Sequence, residues 1–281
     1  ETLYKKIWDF VQENKHLISI IVPAFKAENF IERSLLRIKD VLDQIRYPYE
    51  IICVVDGKLD KTFEKAKKVE AKFPSKVFVV GYLNNMGKGH AVRYGMAKSR
   101  GDIIAFVDAG MELNPNGLSM LLEHFEWYNA DIIVGSKRHP ASKVIYPWQR
   151  KVLSFGYQMV VRILFGLKVR DTQVGMKFFR REVLEKTLPR LLVKAFAFDV
   201  EILAVANYLG YKRIYEAPVE LKMKFGGGAS TITSKKFIKT VWAMFLDTLA
   251  VFYRLHILHY YDWGNRKNWI TPKYLTLNNS R

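Results

Sequence analysis

Short apolar runs alternate with amphipathic stretches through the first half of the chain. Leu17 to Val22 reads as a buried strand stopped by Pro23, then a loop from Ala24 to Asn29 and a helix beginning near Phe30. The plan repeats with a strand from Tyr49 to Val55, the loop Asp56-Gly57-Lys58-Leu59-Asp60, and a helix from about Lys61 to Lys72. A third strand, Val77 to Tyr82, leads through Asn84-Asn85-Met86-Gly87-Lys88-Gly89 into a helix from His90 to Lys98, and a fourth runs from Gly101 to Val107. Continuous apolar strands each followed by a helix predict an α/β protein: a parallel sheet with right-handed crossovers, of the nucleotide-binding kind.

Ligands of such sheets bind beyond the carboxyl ends of the strands, and the loops there carry polar chemistry. Asp108 closes the fourth strand in Phe106-Val107-Asp108-Ala109-Gly110-Met111-Glu112. Its carboxylate and that of Glu112 can share one hard cation if the backbone turns just after Asp108, whereas a plain strand-terminating Asp is the competing reading. Asp56 suits a ribose hydroxyl or base edge, Gly87 and Gly89 allow close backbone approach, and Lys88 suits a phosphate. Each is also an ordinary turn residue, so the signal is their recurrence at one edge.

Charge adds a second theme. Of the formal +18, residues 1–136 supply 19 Lys/Arg against 18 Asp/Glu and residues 137–281 supply 26 against 9, so the second half meets an anionic partner. Nucleic acid, anionic lipid headgroups and a phosphorylated substrate all fit that charge, but no nucleic-acid-binding motif appears. Trp148 to Lys168 interleaves aromatic and apolar residues with basic ones, as in a helix lying in the headgroup plane; an ordinary core helix is the alternative. Lys235 to Tyr261 reads as a long aromatic-rich helix or helix pair with Lys235, Lys236 and Lys239 at its start, a second membrane contact. Leu3, Ile7, Trp8 and Val11 oppose Lys5 and Lys6, an amphipathic helix over 1–16 that packs on the domain or lies on a membrane. The best candidate span, Val241 to Tyr253, is broken by Asp247, and the start at Glu1 leaves room for an anchor ahead of it. Gly226-Gly227-Gly228-Ala229-Ser230 is a flexible loop, a lid or a linker. The single cysteine, Cys53, lies in an apolar run and is a core residue.

Taken together, Ile20-Ile21-Val22-Pro23-Ala24-Phe25, Val54-Val55-Asp56-Gly57, Asn85-Met86-Gly87-Lys88-Gly89-His90-Ala91 and Val107-Asp108-Ala109 resemble the donor-site motifs of glycosyltransferase family 2, inverting enzymes of GT-A fold. The likeness continues through Gly135-Ser136-Lys137-Arg138, Arg150, Ser154, the run Asp171 to Phe179, and Phe198-Asp199-Val200-Glu201. That longer pattern is similar to the dolichyl-phosphate mannose and glucose synthases, with Asp171-Thr172-Gln173-Val174-Gly175 nearest the glucose branch.

The resemblance implies a Rossmann-like nucleotide-sugar-binding mixed sheet flanked by helices over residues 17–235, with amphipathic membrane-interface helices at about 148–168 and in a C-terminal part, 236–281. It implies transfer of a hexose from a nucleotide sugar, UDP-glucose ahead of GDP-mannose, to a polyprenyl or dolichyl monophosphate at the cytoplasmic face of a membrane bearing anionic lipids. A family member acting on a sugar hydroxyl is the alternative. Pro23, Ala24, Phe25, Glu28, Asp56, Lys88, Asp108, Ala109, Asp171 and Gln173 would bind the donor. Lys137, Arg138, Arg150, Ser154, Lys222 and Lys224 would grip the acceptor phosphate, with Asp108, Arg150 and Asp199 as catalytic groups. Asp199 would orient sugar hydroxyls or act as a base toward an alcohol; an exposed helix-start Asp is the bland reading.

The chain departs from the family in three places. The usual Asp-x-Asp is Asp108-Ala109-Gly110, so Asp108 with Glu112 would hold Mg²⁺ or Mn²⁺. The family's Asn-Glu is Lys26-Ala27, leaving Glu28 as a displaced base contact, and the Asp56 loop is one residue short.

Overall fold

The computed structural model describes residues 16–110, 114–144, 148–221 and 235–277. The N-terminal amphipathic helix, Glu112, Lys222, Lys224 and the 226–230 loop lie outside the described residues.

The predicted alternation is present: β1 (Ile18–Ala24), α1 (Ile31–Leu42), β2 (Tyr49–Asp56), α2 (Thr62–Lys72), β3 (Val77–Tyr82), α3 (Lys88–Lys98), β4 (Ile103–Val107) and α4 (Gly117–Trp127). Then come β5 (Ile132–Ser136), β6 (Lys143–Val144), α5 (Trp148–Phe165), β7 (Met176–Arg180), α6 (Arg181–Thr187), α7 (Phe198–Tyr208), β8 (Ile214–Pro218), β9 (Glu220–Leu221) and α8 (Lys235–His256). Seven strands make one sheet in the order β3-β2-β1-β4-β7-β5-β8. β1 pairs in parallel with β2 and β4, whereas β7 runs antiparallel to both β4 and β5. The sheet is therefore mixed. Its strand order reverses beside β1, and the crevice outside the carboxyl ends of β1 and β4 is the place where such sheets bind ligands.

Both faces are covered, which explains why the strands read as apolar throughout. Ile18, Ile20 and Val22 of β1 point into a core shared with α1, α2 and α4, while Ile21 joins one shared with α3, α5, α6, α7 and α8. Val251 and Leu255 of α8 are buried in that second core, so the C-terminal helix is packed against the sheet's own helices.

Pro23 does not stop β1, contrary to expectation: it pairs with Val54, and the strand runs on to Ala24. The ladder with β4 ends at Ile21↔Phe106, so Pro23 lies where β1 has lost one neighbour and an absent N–H costs less. The C-terminal pattern gives one helix that stops at His256, short of Tyr261. Cys53 is fully buried, and burial pushes its thiol up to about 12.

Candidate active site

Asp56 ends β2 almost fully buried, and its carboxylate organises the next loop. Oδ1 accepts from the Met86 N–H at 2.7 Å; Oδ2 accepts from Gly87 N–H at 3.0 Å and Asn85 Nδ2 at 2.9 Å. That turn ends in Gly87, at φ +98°, where a Cβ would stand 2.6 Å from the Lys194 carbonyl oxygen. A Cβ on Gly89 would meet Phe198 Cβ at 2.6 Å. The two glycines thus let the first turns of α3 and α7 lie against each other, which brings Lys88 to Asp199.

Four charges from four elements meet there. Lys88 Nζ lies 3.0 and 3.1 Å from the two Asp108 carboxylate oxygens and 3.8 Å from Asp199 Oδ2. Asp199 Oδ1 accepts from Lys177 Nζ at 2.5 Å, and Lys177 also donates to the Val174 carbonyl at 2.6 Å. The line runs from a half-exposed Asp108, 46% by side chain, to a Lys177 side chain with no exposure. Asp199 is therefore not an exposed helix-start residue: its side chain is 2% exposed and is held between two ammonium groups. Burial pulls the Lys88 ammonium down, but Asp108 and Asp199 outweigh it and its pKa rests above the ordinary lysine value. For Lys177 burial prevails over Asp199, with Lys88 adding repulsion, and the pKa falls.

Asp108 is seated by Gly175. Its N–H donates to the Gly175 carbonyl at 3.0 Å, and its carboxylate occupies the space a Gly175 side chain would need, with Oδ2 1.9 Å from the Cβ position. A hard carboxylate at a sheet edge that already draws a cationic group fits a divalent metal, because Mg²⁺-type ions take one or two protein carboxylates and complete their shell with substrate phosphates and water. Among the described residues no cluster of three or more acidic, His or Cys ligands exists.

The other residues expected at the donor site lie in the loops around the same edge. Ala24 and Ala109 are buried and Phe25 is exposed. Glu28 accepts from the Lys61 N–H at 3.1 Å, and its carbonyl from Lys65 Nζ at 2.8 Å, which sews the β1 loop to the start of α2. Asp171 accepts from the N–H groups of Lys137 at 3.3 Å and Gln173 at 3.2 Å, so the loop before β7 is tied to the loop after β5. Arg138 then reaches α5: its guanidinium donates to Gln158 Oε1 and lies 5.9 Å from the Phe155 ring centroid. Ser154, one residue earlier on α5, is exposed, with Arg150 one helical turn before it. Arg138 Nη2 and Gln173 Nε2 are buried without a hydrogen-bond partner among the described residues, two donors left for something else. The 171–175 loop thus touches both groups of residues, with Gly175 backing Asp108 and Asp171 holding Lys137.

Lys177 and Gly175 are absent from the predicted site. A lone lysine in Met176-Lys177-Phe178-Phe179, an otherwise apolar strand, was the readable signal for the first.

Beside this edge, α5 exposes Phe155, Met159 and Ile163 at four-residue spacing, and α8 exposes Trp242, Leu246, Leu249 and Tyr253. The two helices are joined by Tyr157 Oη and Thr248 Oγ1 at 2.8 Å. Among the described residues no helix is long and apolar enough to cross a membrane.

A mixed sheet with one antiparallel strand, and a carboxylate and a lysine meeting at its switch point, is a GT-A-like arrangement. The fold matches that of glucosyl-3-phosphoglycerate synthase from Mycobacterium tuberculosis in complex with Mn²⁺, UDP-glucose and phosphoglyceric acid, with TM-score 0.61 and 17% identity over 85% of this chain and 82% of that one. The family model for glycosyl transferase family 2 matches residues 19–188, and the chain belongs to that family. It is 30% identical to a dolichyl-phosphate beta-glucosyltransferase of Trichomonas vaginalis, over 90% of this chain and 78% of that protein. To the human dolichyl-phosphate beta-glucosyltransferase it is 33% identical, over 74% of this chain and 67% of the relative.

Proposed function

We propose that this glycosyltransferase moves glucose from UDP-glucose to the phosphate of a polyprenyl or dolichyl monophosphate at a membrane surface. The observation that carries the reading is the 171–175 loop, which joins the Asp108 carboxylate to Lys137 and, through the adjoining loop, to Arg138 beside the apolar face of α5. The names of the relatives support glucose and dolichyl phosphate.

Asp108 would hold Mg²⁺ or Mn²⁺, with Glu112 as its second carboxylate; the ion supplies charge stabilisation to the departing diphosphate. Lys88 faces the same charge. Lys137, Arg138, Arg150, Ser154, Lys222 and Lys224 would bind the acceptor phosphate, which carries about −1.5 to −2 charges near neutral pH. An oxygen so ionised needs no base. Its attack on the anomeric carbon forms the new C–O bond as the bond to UDP breaks, and in-line displacement inverts that centre. Protein groups then have to align and neutralise, which suits a site whose Asp199 is tied up by two lysines. The exposed faces of α5 and α8 would lie on the headgroups, at the cytoplasmic face in the reading we favour.

The test is incubation with labelled UDP-glucose or GDP-mannose and polyprenyl phosphate, with Mn²⁺ or with chelator, followed by organic extraction. Metal-dependent transfer of the glucose label to the organic phase is expected. Label that stays aqueous under every condition refutes the lipid acceptor, and extraction of mannose alone refutes the donor.

A further inference from the structure

The inner half of the charge line is more than the reading above requires. Lys177 and Asp199 form a buried pair, from β7 and α7, at 2.5 Å. Burying such a pair costs solvation that its mutual attraction barely repays, and apolar residues of similar size would stabilise the fold as well or better. Between Met176 and Phe178 a third apolar side chain would fit the strand pattern. What the pair does accomplish is geometric. Lys177 occupies Oδ1 of Asp199, leaving Oδ2 turned toward Lys88 at 3.8 Å, while the outer side of Lys88 contacts both oxygens of Asp108. Gly89, closed against Phe198, fixes the base of Lys88 relative to Asp199.

Resting on the reading that a nucleotide diphosphate binds at this edge, we propose that Lys177 and Asp199 are positioning residues that form a fixed mount for Lys88. In the donor-free chain Lys88 serves as the counter-cation of Asp108. With the diphosphate and its metal bound, Asp108 would hold the ion and Lys88 would pass to the diphosphate, still steered from behind by Asp199. Charge is conserved in the exchange: two lysines and two aspartates sum to zero, and a diphosphate diester with a divalent cation adds about zero. Lys88 and the metal therefore compete for Asp108 before the donor binds and cooperate after it.

The test uses three variants of the full chain and two binding measurements that need no acceptor. Binding of UDP with Mn²⁺ is followed by calorimetry, and binding of Mn²⁺ alone by electron paramagnetic resonance. Lys88→Met, a partly exposed position that leaves the inner pair intact, is expected to bind Mn²⁺ alone more tightly than wild type yet bind UDP with Mn²⁺ more weakly. Asp199→Asn, and Lys177→Met combined with Asp199→Leu, are expected to weaken UDP–Mn²⁺ binding by about tenfold, the size of one charge-assisted hydrogen bond. The double variant should melt within a few degrees of wild type, because it leaves no unpaired charge and only the Val174 carbonyl without its donor. A double variant with wild-type UDP–Mn²⁺ affinity would make the pair merely structural, and Lys88→Met with unchanged or weaker binding of Mn²⁺ alone would show that Lys88 does not occupy Asp108. Either result overturns the proposal. Absence of UDP binding by wild-type protein would instead remove the functional reading beneath it.

Discussion

Gly175→Ala should disable the site while leaving the protein folded. The added methyl would stand 1.9 Å from Asp108 Oδ2, 2.3 Å from its Cγ and 2.9 Å from its Cβ. Carbon and oxygen approach no closer than roughly 3.3 Å, so the carboxylate must retreat by about 1.4 Å. Separating the strands is the costlier way out, since Asp108 N–H donates to Gly175 O at 3.0 Å and β4 pairs with β7 from Val107↔Met176 onward. The half-exposed carboxylate turns off its rotamer and leaves Lys88, and because that rotation leaves Cβ in place at 2.9 Å the two strands also give slightly; the rotamer alone costs about 0.5–1.5 kcal/mol. For a chain of this size that lowers Tm by roughly 1–6 °C. Activity should suffer far more, by about 100-fold, the usual effect of misplacing a catalytic group by around 1 Å. Gly156→Ala is the control, because outside the backbone of its own helix and its chain neighbours no atom of the described residues lies within 4 Å of that Cβ position. The assay is metal-dependent transfer of labelled glucose into the organic phase, with a thermal melt on the same preparations. Transfer within threefold of wild type by Gly175→Ala would refute the seating of Asp108 described here.

The other predictions address separate parts of the molecule. Asp56→Ala frees the 85–87 turn from three hydrogen bonds and should raise the donor KM about tenfold or more with a smaller change in kcat; steady-state kinetics decide it. Ile163→Glu with Trp242→Glu places charges on the exposed faces of α5 and α8 and should reduce co-sedimentation with anionic vesicles without changing the melting temperature. Glu201→Ala leaves the N–H groups of Leu192 and Val193, the Tyr261 hydroxyl and Arg254 without their buried acceptor, and urea unfolding should show a loss of roughly 3 kcal/mol. Hydrogen bonds from Lys39, Lys76 and Tyr49 hold the Asp43 carboxyl well below the usual range. Its stabilisation is therefore complete above the ordinary Asp value of about 3.9 and lost as pH falls below it, so Asp43→Asn should flatten the acid limb of the stability curve.

What could be read from the sequence, and what could not, divides along physical lines. β1 to β4 were legible because a strand covered on both faces is apolar at most positions, Ser19 and Glu50 being exceptions that bond each other, and Gly87 and Gly89 because a sharp turn and a close helix contact both demand glycine. The amphipathic pattern of α5 was legible as well, since Val161 and Phe165 enter the core while Phe155, Met159 and Ile163 stay outside. The extension of β1 through Pro23 was not, because whether a missing N–H matters depends on which neighbour has already ended. Nor was the line from Lys177 to Asp108, whose members come from β7, α7, α3 and β4 and share no spacing in the chain. The missing second acid of the family's Asp-x-Asp falls between these cases. Its absence at Gly110 is plain in the sequence, and the structure adds that, its chain neighbours aside, no atom of the described residues lies within 4 Å of a Cβ built there. Among the described residues, contacts therefore do not account for the missing acid. With the inner aspartate already paired to Lys177, Lys88 is left balancing Asp108, the outer acid of the line.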